Sequence, residues 1–247
     1  MTTPEHSSAP VRYAVYFAPG QHDPWWDAGS RWLGRCAVTG QALPQPAVAG
    51  LSAAQFAQLT QAPRRYGWHA TLKAPFVLAD GCTLAALQNE LSTLARRHRA
   101  FELPPLVVSQ MDGFMGLRLD GDDHAVQHIA ANCVTGLNTF AAPLPPSELV
   151  RRRGKGLSDR QEQLLKDWGY PFVLDQFRFH FSLTGALTGA WPEALADVTP
   201  TQVDALKLAA QQHFAALPPC RFDQLALFEE ARPGAPFAWV SSHALKA

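Results

Sequence analysis

The sequence predicts an α+β protein of two similar lobes, each with a small antiparallel sheet and helices on its outside. Strand-like segments at His69 and His180 share one pattern: a histidine, any residue, a hydroxyl residue and a leucine. Each segment is followed by a helical stretch, a Leu-Pro-Pro break and two short strand-like stretches. The break comes 34 residues after His69 and 37 residues after His180. The same order at nearly the same spacing indicates an internal duplication, whose halves would be related by a pseudo-twofold axis.

The composition is that of an ordinary globular protein: 47% of the 247 residues are hydrophobic and 17% are charged. The formal net charge is zero, which excludes a general attraction to long nucleic acids or anionic membranes. Four scattered cysteines without a CxxC pair are typical of reduced thiols. Residues 1–10 are expected to be a disordered tail without signal-peptide character, and residues 11–247 to form one bilobal domain with the site between the lobes. The cytoplasm is the expected location.

Strand and helix signals alternate along the first half of the chain. Val11 to Phe17 is rich in β-branched and aromatic residues and is predicted to be a strand. Asp23 and Pro24 are typical of a helix start, as N-cap and first helical residue. Further expected elements are a short helix over 52–61, the first motif strand over 66–78, a helix over 83–99, and strands over 106–110 and 114–120 joined by an Asp-Gly turn.

The second half repeats the motif strand after a longer insertion. The expected elements are a helix over 122–138, a capped helix over 158–168, the second motif strand over 177–187, a helix over 199–217 that starts with Thr-Pro, and closing strands over 222–230 and 237–241. Residues 150–156 are expected to be a basic, glycine-containing loop, whose most basic run, Arg151–Gly156, lacks the pattern of a Walker A motif. Two interpretations remain open for it: a flap that closes over a phosphorylated substrate, or a solvated connector.

Period-two alternation gives both motif strands an apolar back and a polar front. The polar faces are expected to carry His69, Thr71 and Lys73 on the first strand, and Arg178, His180, Ser182 and Thr184 on the second. In a pseudo-symmetric pair of lobes, both polar faces would line one cleft. Imidazole, hydroxyl and cationic groups together suit the binding and cleavage of a phosphate ester.

Two histidines can supply both a base and an acid, because an unperturbed imidazole has a pKa near 6.5. One could deprotonate water and the other protonate the leaving oxygen, without a metal or another cofactor. The hydroxyls of Thr71 and Ser182 could donate to phosphate oxygens, and Lys73 and Arg178 could stabilise the added negative charge. A lone histidine on a strand is usually structural, but two matched motifs in a duplicated frame favour function.

Other histidines are not expected to take part. His124 and His128 have the spacing of a metal pair on a helix. No suitable third ligand is evident in the sequence around them, so a solvated helix face is expected there. No metal site is predicted anywhere in the chain.

The paired motifs resemble those of the two-histidine (2H) phosphoesterase superfamily. The resemblance implies a bilobal 2H-phosphoesterase-like α+β fold, metal-independent action on cyclic or 2′–5′ phosphodiesters, and catalytic roles for His69, Thr71, His180 and Ser182. Segments 12–19, 32–35, 65–76 and 168–180 are similar to one branch, the phosphonate-operon-associated domain of unknown function 1045.

The resulting prediction is a metal-independent hydrolase of a small cyclic phosphodiester. The branch's association suggests a ribose cyclic phosphate linked to phosphonate metabolism. Two alternatives remain: a 2′–5′ RNA ligase or RNA-end cyclic phosphodiesterase on the same site, and a non-catalytic binder of phosphorylated ligands. The expected partner is a small phosphorylated substrate, with no membrane and no nucleic acid beyond a short RNA end. Candidate substrate-binding residues are Lys73, Arg178, Arg12, Tyr16 and Tyr66.

Overall fold

The computed structural model describes residues 10–154, 156–187 and 198–247. The predicted disordered tail lies outside the described residues except for Pro10. The strands of the described chain are β1 (Arg12–Phe17), β2 (Ala70–Phe76), β3 (Phe101–Glu102), β4 (Leu106–Met111), β5 (Phe114–Leu119), β6 (His180–Ala186), β7 (Arg221–Phe222), β8 (Gln224–Glu230) and β9 (Ala238–Ala244). The helices are α1 (Pro24–Leu33), α2 (Ala53–Leu59), α3 (Gln61–Tyr66), α4 (Leu84–Ala95), α5 (His124–Gly136), α6 (Pro146–Arg153), α7 (Asp159–Trp168) and α8 (Pro200–Phe214).

Side-chain caps fix the starts of the helices that the sequence predicted. The side-chain oxygens accept hydrogen bonds from backbone N–H groups in the first helical turn, as capping residues do. These caps are Asp23, Ser52, Thr83, Ser158 and Thr199. The predicted positions of α1, α2, α4, α7 and α8 are therefore confirmed, although α4 ends at Ala95 rather than near residue 99.

Seven antiparallel strands join in the order β4-β5-β6-β2-β1-β8-β9, and β3 pairs separately with β7. The two motif strands are neighbours in the middle, where the single pair Ala70–Phe181 connects them. The strands thus fall into two groups, β4-β5-β6 and β2-β1-β8-β9, that meet only at this bridge. The predicted α+β class with antiparallel sheets and packed helices is confirmed.

The two lobes are not built from consecutive halves of the chain. The β4–β5 hairpin follows the first motif strand in sequence, yet β5 pairs with the second motif strand β6. The β8–β9 hairpin follows the second motif, yet β8 joins β2 through β1. Correspondingly α4 packs on β8 and β9, and α8 packs on β4. Each half has exchanged its hairpin with the other.

An aromatic cluster behind the motif strands holds the two lobes together. The ring of Trp68 stacks on that of Phe181 at 4.6 Å between centroids, and Phe214 of α8 stacks on Trp68 at 5.4 Å. Helix α1 reaches the same ring at Gly29, where an added Cβ would lie 1.9 Å from Trp68. The apolar backs predicted for both strands are therefore buried as expected.

Two sequence predictions are wrong in this part of the fold. The basic run expected as a loop from residue 150 lies largely in helix α6, which Pro146 starts and which Glu148 stabilises through ion pairs with Arg151 and Arg152 one turn later. The first motif strand begins at Ala70 rather than at 66, because α3 extends to Tyr66. None of the described helices is both long and apolar enough to cross a bilayer.

Candidate active site

The residues on either side of the Ala70–Phe181 bridge form the centre of the site. Because Ala70 and Phe181 point into the core, their neighbours project from the opposite face of the sheet. In this antiparallel register His69 lies across from Ser182, and Thr71 lies across from His180. The residues brought together are the four that the paired motifs single out: His69, Thr71, His180 and Ser182.

Both imidazoles are oriented in the same way. Nδ1 of His69 lies 2.8 Å from the carbonyl oxygen of Gly67, and Nδ1 of His180 lies 2.8 Å from that of Arg178. A carbonyl oxygen only accepts, so each Nδ1 carries the proton and each Nε2 holds a lone pair in the neutral ring. Neither Nε2 has a hydrogen-bond partner among the described residues. Both are available for proton transfer.

The surroundings of the two rings lower both pKa values. Burial lowers the pKa of His69 to about 4, with the hydrogen bond to Gly67 opposing this shift and proximity to His180 adding to it. Burial also lowers the pKa of His180, against the hydrogen bond to Arg178 and the nearby carboxylate of Asp112. Both imidazoles are thus weaker bases than a free histidine.

The two hydroxyl side chains are accessible. Thr71 and Ser182 are both half-buried, and neither hydroxyl makes a hydrogen bond within the described part of the chain. Each can therefore donate to an oxygen of a bound ligand.

Two tyrosines flank His69. Tyr16 is fully buried, and its ring lies 3.9 Å from the imidazole, centroid to centroid. Tyr66 is half-buried at 6.0 Å, and its hydroxyl oxygen accepts a hydrogen bond of 2.6 Å from Arg65. Tyr16 therefore supports the imidazole from within the protein, whereas Tyr66 lies where a ligand could reach it. Their predicted role in substrate binding stays a prediction.

Arg12 shares a buried carboxylate with an arginine that the sequence analysis missed. Glu230 is fully buried and pairs with Arg12, while Arg65 approaches its other oxygen at 3.8 Å. Its position in the sequence, next to Tyr66 and four residues before His69, could have indicated that Arg65 lies near the site. Arg12 itself is mostly buried, with 18% of its side chain exposed.

Lys73 does not continue the polar face of His69 and Thr71. Thr71 pairs with Tyr16 but Lys73 pairs with Val15, so β2 contains one extra residue between these pairs. This β-bulge breaks the period-two alternation on which the prediction depended. The ammonium is buried, 3.3 Å from the carbonyl oxygen of Val134 in α5, and burial lowers the pKa of Lys73 to about 8.

Arg178 turns outward. Its side chain is 70% exposed and lies 3.3 Å from the carboxylate of Asp112, although its carbonyl oxygen orients His180. Thr184, expected on the same face, is buried, and its hydroxyl accepts a hydrogen bond from the backbone of Met115. The second strand therefore offers only His180 and Ser182 to the site.

One cavity among the described residues adjoins the end of β2. It measures about 440 Å³ and is lined by Lys73, Arg152 and Tyr170 among others, but by none of the four motif residues. Possible metal ligands come together elsewhere, in an exposed group at Asp122, Asp123 and His124. Within the described chain, this group is separate from the histidine site.

The fold and the site define an α+β protein in which two oriented imidazoles and two hydroxyls meet at the junction of two lobes. The chain belongs to the family described as "Protein of unknown function (DUF1045)", whose model matches residues 71–238. This match covers more than half of the chain and includes Thr71, His180 and Ser182.

Two curated relatives carry the name "Ribose 1,5-bisphosphate phosphokinase PhnN". The one from Janthinobacterium sp. (strain Marseille) is 38% identical over 234 residues, which are 94% of this chain and 50% of the relative. The one from Laribacter hongkongensis (strain HLHK9) is 38% identical over 227 residues, 92% of this chain and 50% of the relative. The chain therefore spans about half the length of the curated relatives it matches.

Solved structures with similar chain paths are more distant. A structure titled "Crystal structure of phosphoesterase" has 15% identity and a TM-score of 0.42, covering 96% of this chain and 99% of that one. Escherichia coli LigT complexed with 3′-AMP has 14% identity and a TM-score of 0.39, with coverage of 96% and 99%. At these TM-scores, neither likeness carries weight for fold or function.

Proposed function

We propose that this chain is a 2H-type phosphodiesterase that hydrolyses a small cyclic phosphodiester, a ribose cyclic phosphate linked to phosphonate metabolism, without a metal. The observation that supports this best is the pair of imidazoles, each held through Nδ1 by a backbone carbonyl and each with an unpartnered Nε2 among the described residues. A hydroxyl lies across the strand pair from each imidazole. This is an acid–base pair with hydrogen-bond donors for phosphate oxygens.

In the proposed reaction, Nε2 of one imidazole takes a proton from a water molecule while the oxygen of this water attacks phosphorus. The bond from phosphorus to one ring oxygen breaks, and Nε2–H of the other imidazole protonates that oxygen. The product is a phosphomonoester with a free hydroxyl. We assign the base to His69, whose pKa burial lowers to about 4, and the acid to His180, where burial also lowers the pKa but the nearby carboxylate of Asp112 opposes that shift.

The hydroxyls of Thr71 and Ser182 would donate hydrogen bonds to the non-bridging oxygens. Negative charge on these oxygens grows in the transition state, so donors fixed on adjacent strands stabilise it without reorganisation. Removing either hydroxyl should therefore lower kcat more than it raises KM. Thr71→Val and Ser182→Ala test this split, because each keeps a side chain of similar size.

Two observations support the proposed class of substrate: the zero net charge of the chain and the names of its curated relatives. A chain with zero net charge suits a small ligand held in a local pocket better than a long polyanion. The curated relatives are named for a ribose bisphosphate, which is a phosphorylated sugar of the same kind as the proposed product. Four unpaired cysteines fit a reducing compartment, and we place the enzyme in the cytoplasm.

The RNA alternative would be favoured by a basic face extending across both lobes. Near His180, however, Arg178 and Arg118 each lie next to an aspartate, Asp112 and Asp120 respectively. These two ion pairs balance the charge of both arginines on the His180 side. We therefore keep cyclic phosphate hydrolysis as the single proposal.

The test is hydrolysis of a panel of ribose and nucleoside cyclic phosphates in the presence of a chelator, with the wild type and with His69→Ala and His180→Ala. Each variant should lose about 10²–10⁴-fold in kcat/KM on the substrates that the wild type turns over. Binding without turnover in the wild type would instead indicate the non-catalytic binder. Turnover that survives both substitutions would overturn the proposed site.

A further inference from the structure

Four arginines of the described chain share two glutamates. Glu230 lies between Arg12 and Arg65, and Glu148 pairs with both Arg151 and Arg152 of α6. Each group of three therefore has one positive charge more than its carboxylate neutralises. In a protein with zero net charge, this is a local concentration of positive charge.

Both groups lie within electrostatic reach of Tyr66. Its hydroxyl accepts a hydrogen bond from Arg65, whose guanidinium carbon lies 4.7 Å from the ring centroid. Arg12 and Arg151 both interact electrostatically with Tyr66, and Arg12 also interacts with Glu148. The centroid of the same ring lies 6.0 Å from that of His69, so the Tyr66 ring connects Arg65 with the proposed base.

Several guanidinium N–H groups in this cluster are unused. Arg12 contacts Glu230 through Nε, and Arg151 contacts Glu148 through Nε and Nη2. Among the described residues, the Nη atoms of Arg12 and Nη1 of Arg151 make no hydrogen bond. Arg152 differs, because its Nη atoms donate to the carbonyls of Gly169 and Pro75 and thereby anchor α6 to β2.

We propose that Arg12, Arg65 and Arg151 form a subsite for a second phosphate, so that the substrate is a sugar cyclic phosphodiester that also carries a phosphomonoester. This inference rests on the proposed hydrolase function and deepens it. The cyclic phosphate would lie between the two imidazoles, and the phosphomonoester on the His69 side, next to Tyr66. Water adds to the ring phosphorus and one ring P–O bond breaks, so the product is a sugar bisphosphate.

The experiment compares ribose 1,2- and 2,3-cyclic phosphates, each with and without a 5-phosphate. The wild type should show a kcat/KM at least about 10-fold higher when the 5-phosphate is present. Arg151→Gln should remove most of this preference, because it removes one of the charges of the subsite. The variant should still fold, because Arg151 is exposed and Glu148 keeps Arg152 as a partner. Arg153→Gln is the matched control: it removes the same charge from the same helix, but Arg153 pairs with Glu162 of α7.

Binding separates this subsite from catalysis. Ribose 5-phosphate should bind the His69→Ala, His180→Ala double variant by titration calorimetry, with an affinity at least about 10-fold weaker when Arg151→Gln is added. Arg65→Gln should act in the same direction. Arg153→Gln should leave the affinity unchanged.

The outcomes distinguish the two proposals. Equal hydrolysis with and without the 5-phosphate would overturn the subsite and leave the hydrolase intact. Binding of ribose 5-phosphate that depends on Arg151, without hydrolysis of any cyclic phosphate, would support the subsite and overturn the hydrolase. If ribose 5-phosphate fails to bind, or binds equally well after Arg151→Gln, the subsite is wrong.

Discussion

His69 is enclosed by the rings of Tyr16 and Tyr66, whereas His180 has the ring of Phe114 at 5.3 Å and the carboxylate of Asp112 within electrostatic reach. Two matched motifs thus place their imidazoles in different environments. Burial lowers the pKa of both imidazoles, but at His180 the carboxylate of Asp112 opposes this shift, which biases the pair toward one acid and one base before a substrate binds.

This bias predicts an acidic optimum for kcat/KM. In the free enzyme the base limb should fall near the pKa of His69, about 4, and the acid limb below the ordinary histidine value of 6.5. Asp112→Asn, which keeps a residue that tolerates the left-handed backbone there, should move the alkaline limb to lower pH. A pH profile of kcat/KM whose alkaline limb does not move would contradict the role of Asp112.

Lys73 offers a test at a single buried charge. Its pKa is lowered from 10.5 to about 8, so the unfolded chain binds the proton more tightly than the folded chain does. Burial of the charged ammonium therefore lowers the free energy of unfolding. This loss is present in full below pH 8 and disappears as the pH rises toward 10.5. Helix α5 offsets part of it, because Val134 lies in its last turn, where a cation is favoured.

Lys73→Met should therefore raise the free energy of unfolding by about 1–2 kcal/mol at pH 7, with a smaller gain near pH 10. Urea titrations of both proteins at the two pH values measure this difference. A variant that is less stable than the wild type at pH 7 would show that the ammonium stabilises the fold. Arg160→Gln, which removes an exposed cation from α7, is the control for a general charge effect.

At the scale of elements, the turn between α3 and β2 positions His69. Gly67 has φ 82° and ψ −178°, a conformation essentially restricted to glycine, and an added Cβ would lie 2.6 Å from Cβ of Ala37. Its carbonyl oxygen accepts the hydrogen bond that orients the imidazole. The helix end, the turn and the orientation of the His69 imidazole thus depend on one residue that carries no side chain.

Gly67→Ala should destabilise the protein by about 2–4 kcal/mol and lower kcat/KM on the proposed substrate. Gly40→Ala is the matched control, since Gly40 also has a positive φ, 73°, but open space where its Cβ would lie. It should cost about 1 kcal/mol and leave kcat/KM unchanged. Equal effects of the two substitutions on thermal unfolding and activity would contradict the positioning role of Gly67.

The elements also show where sequence reasoning ends. Alternation correctly predicted the buried backs at Trp68, Ala70 and Phe181, because every second residue faces the core. It failed at Lys73, since a bulge depends on the pairing of β2 with β1, which lies more than fifty residues away in the chain. Helix α6 was missed for a different reason. The glycines after Arg153 favoured a loop and obscured the Glu–Arg spacing that stabilises the helix.

At the scale of the whole molecule, the exchange of hairpins connects the two halves of the predicted duplication. Each motif strand completes its sheet with strands that follow the other motif in sequence. The order of elements predicted two similar units but not which hairpin pairs with which strand, because two units with the same order of elements allow both pairings. The partnership of Arg12 with Glu230, 218 residues apart, was invisible for the same reason.

This exchange predicts that neither half folds alone. A fragment over 10–121 lacks β6, the partner of β5, and lacks β8, the partner of β1. A fragment over 178–247 lacks β5 and β1. Each should show no cooperative thermal transition by circular dichroism, whereas the full chain should show one. A cooperative transition in either isolated fragment would contradict the exchanged arrangement.

The central claim is that His69 and His180 act as one catalytic unit, and a double-mutant cycle on kcat/KM tests it most directly. We expect His69→Ala and His180→Ala each to lose about 10²–10⁴-fold on a cyclic phosphate, and the double variant to lose far less than the product of the two single losses. A double variant with the same kcat/KM as each single variant would support this claim most strongly. Fully multiplicative losses, or full activity in either single variant, would contradict a shared site.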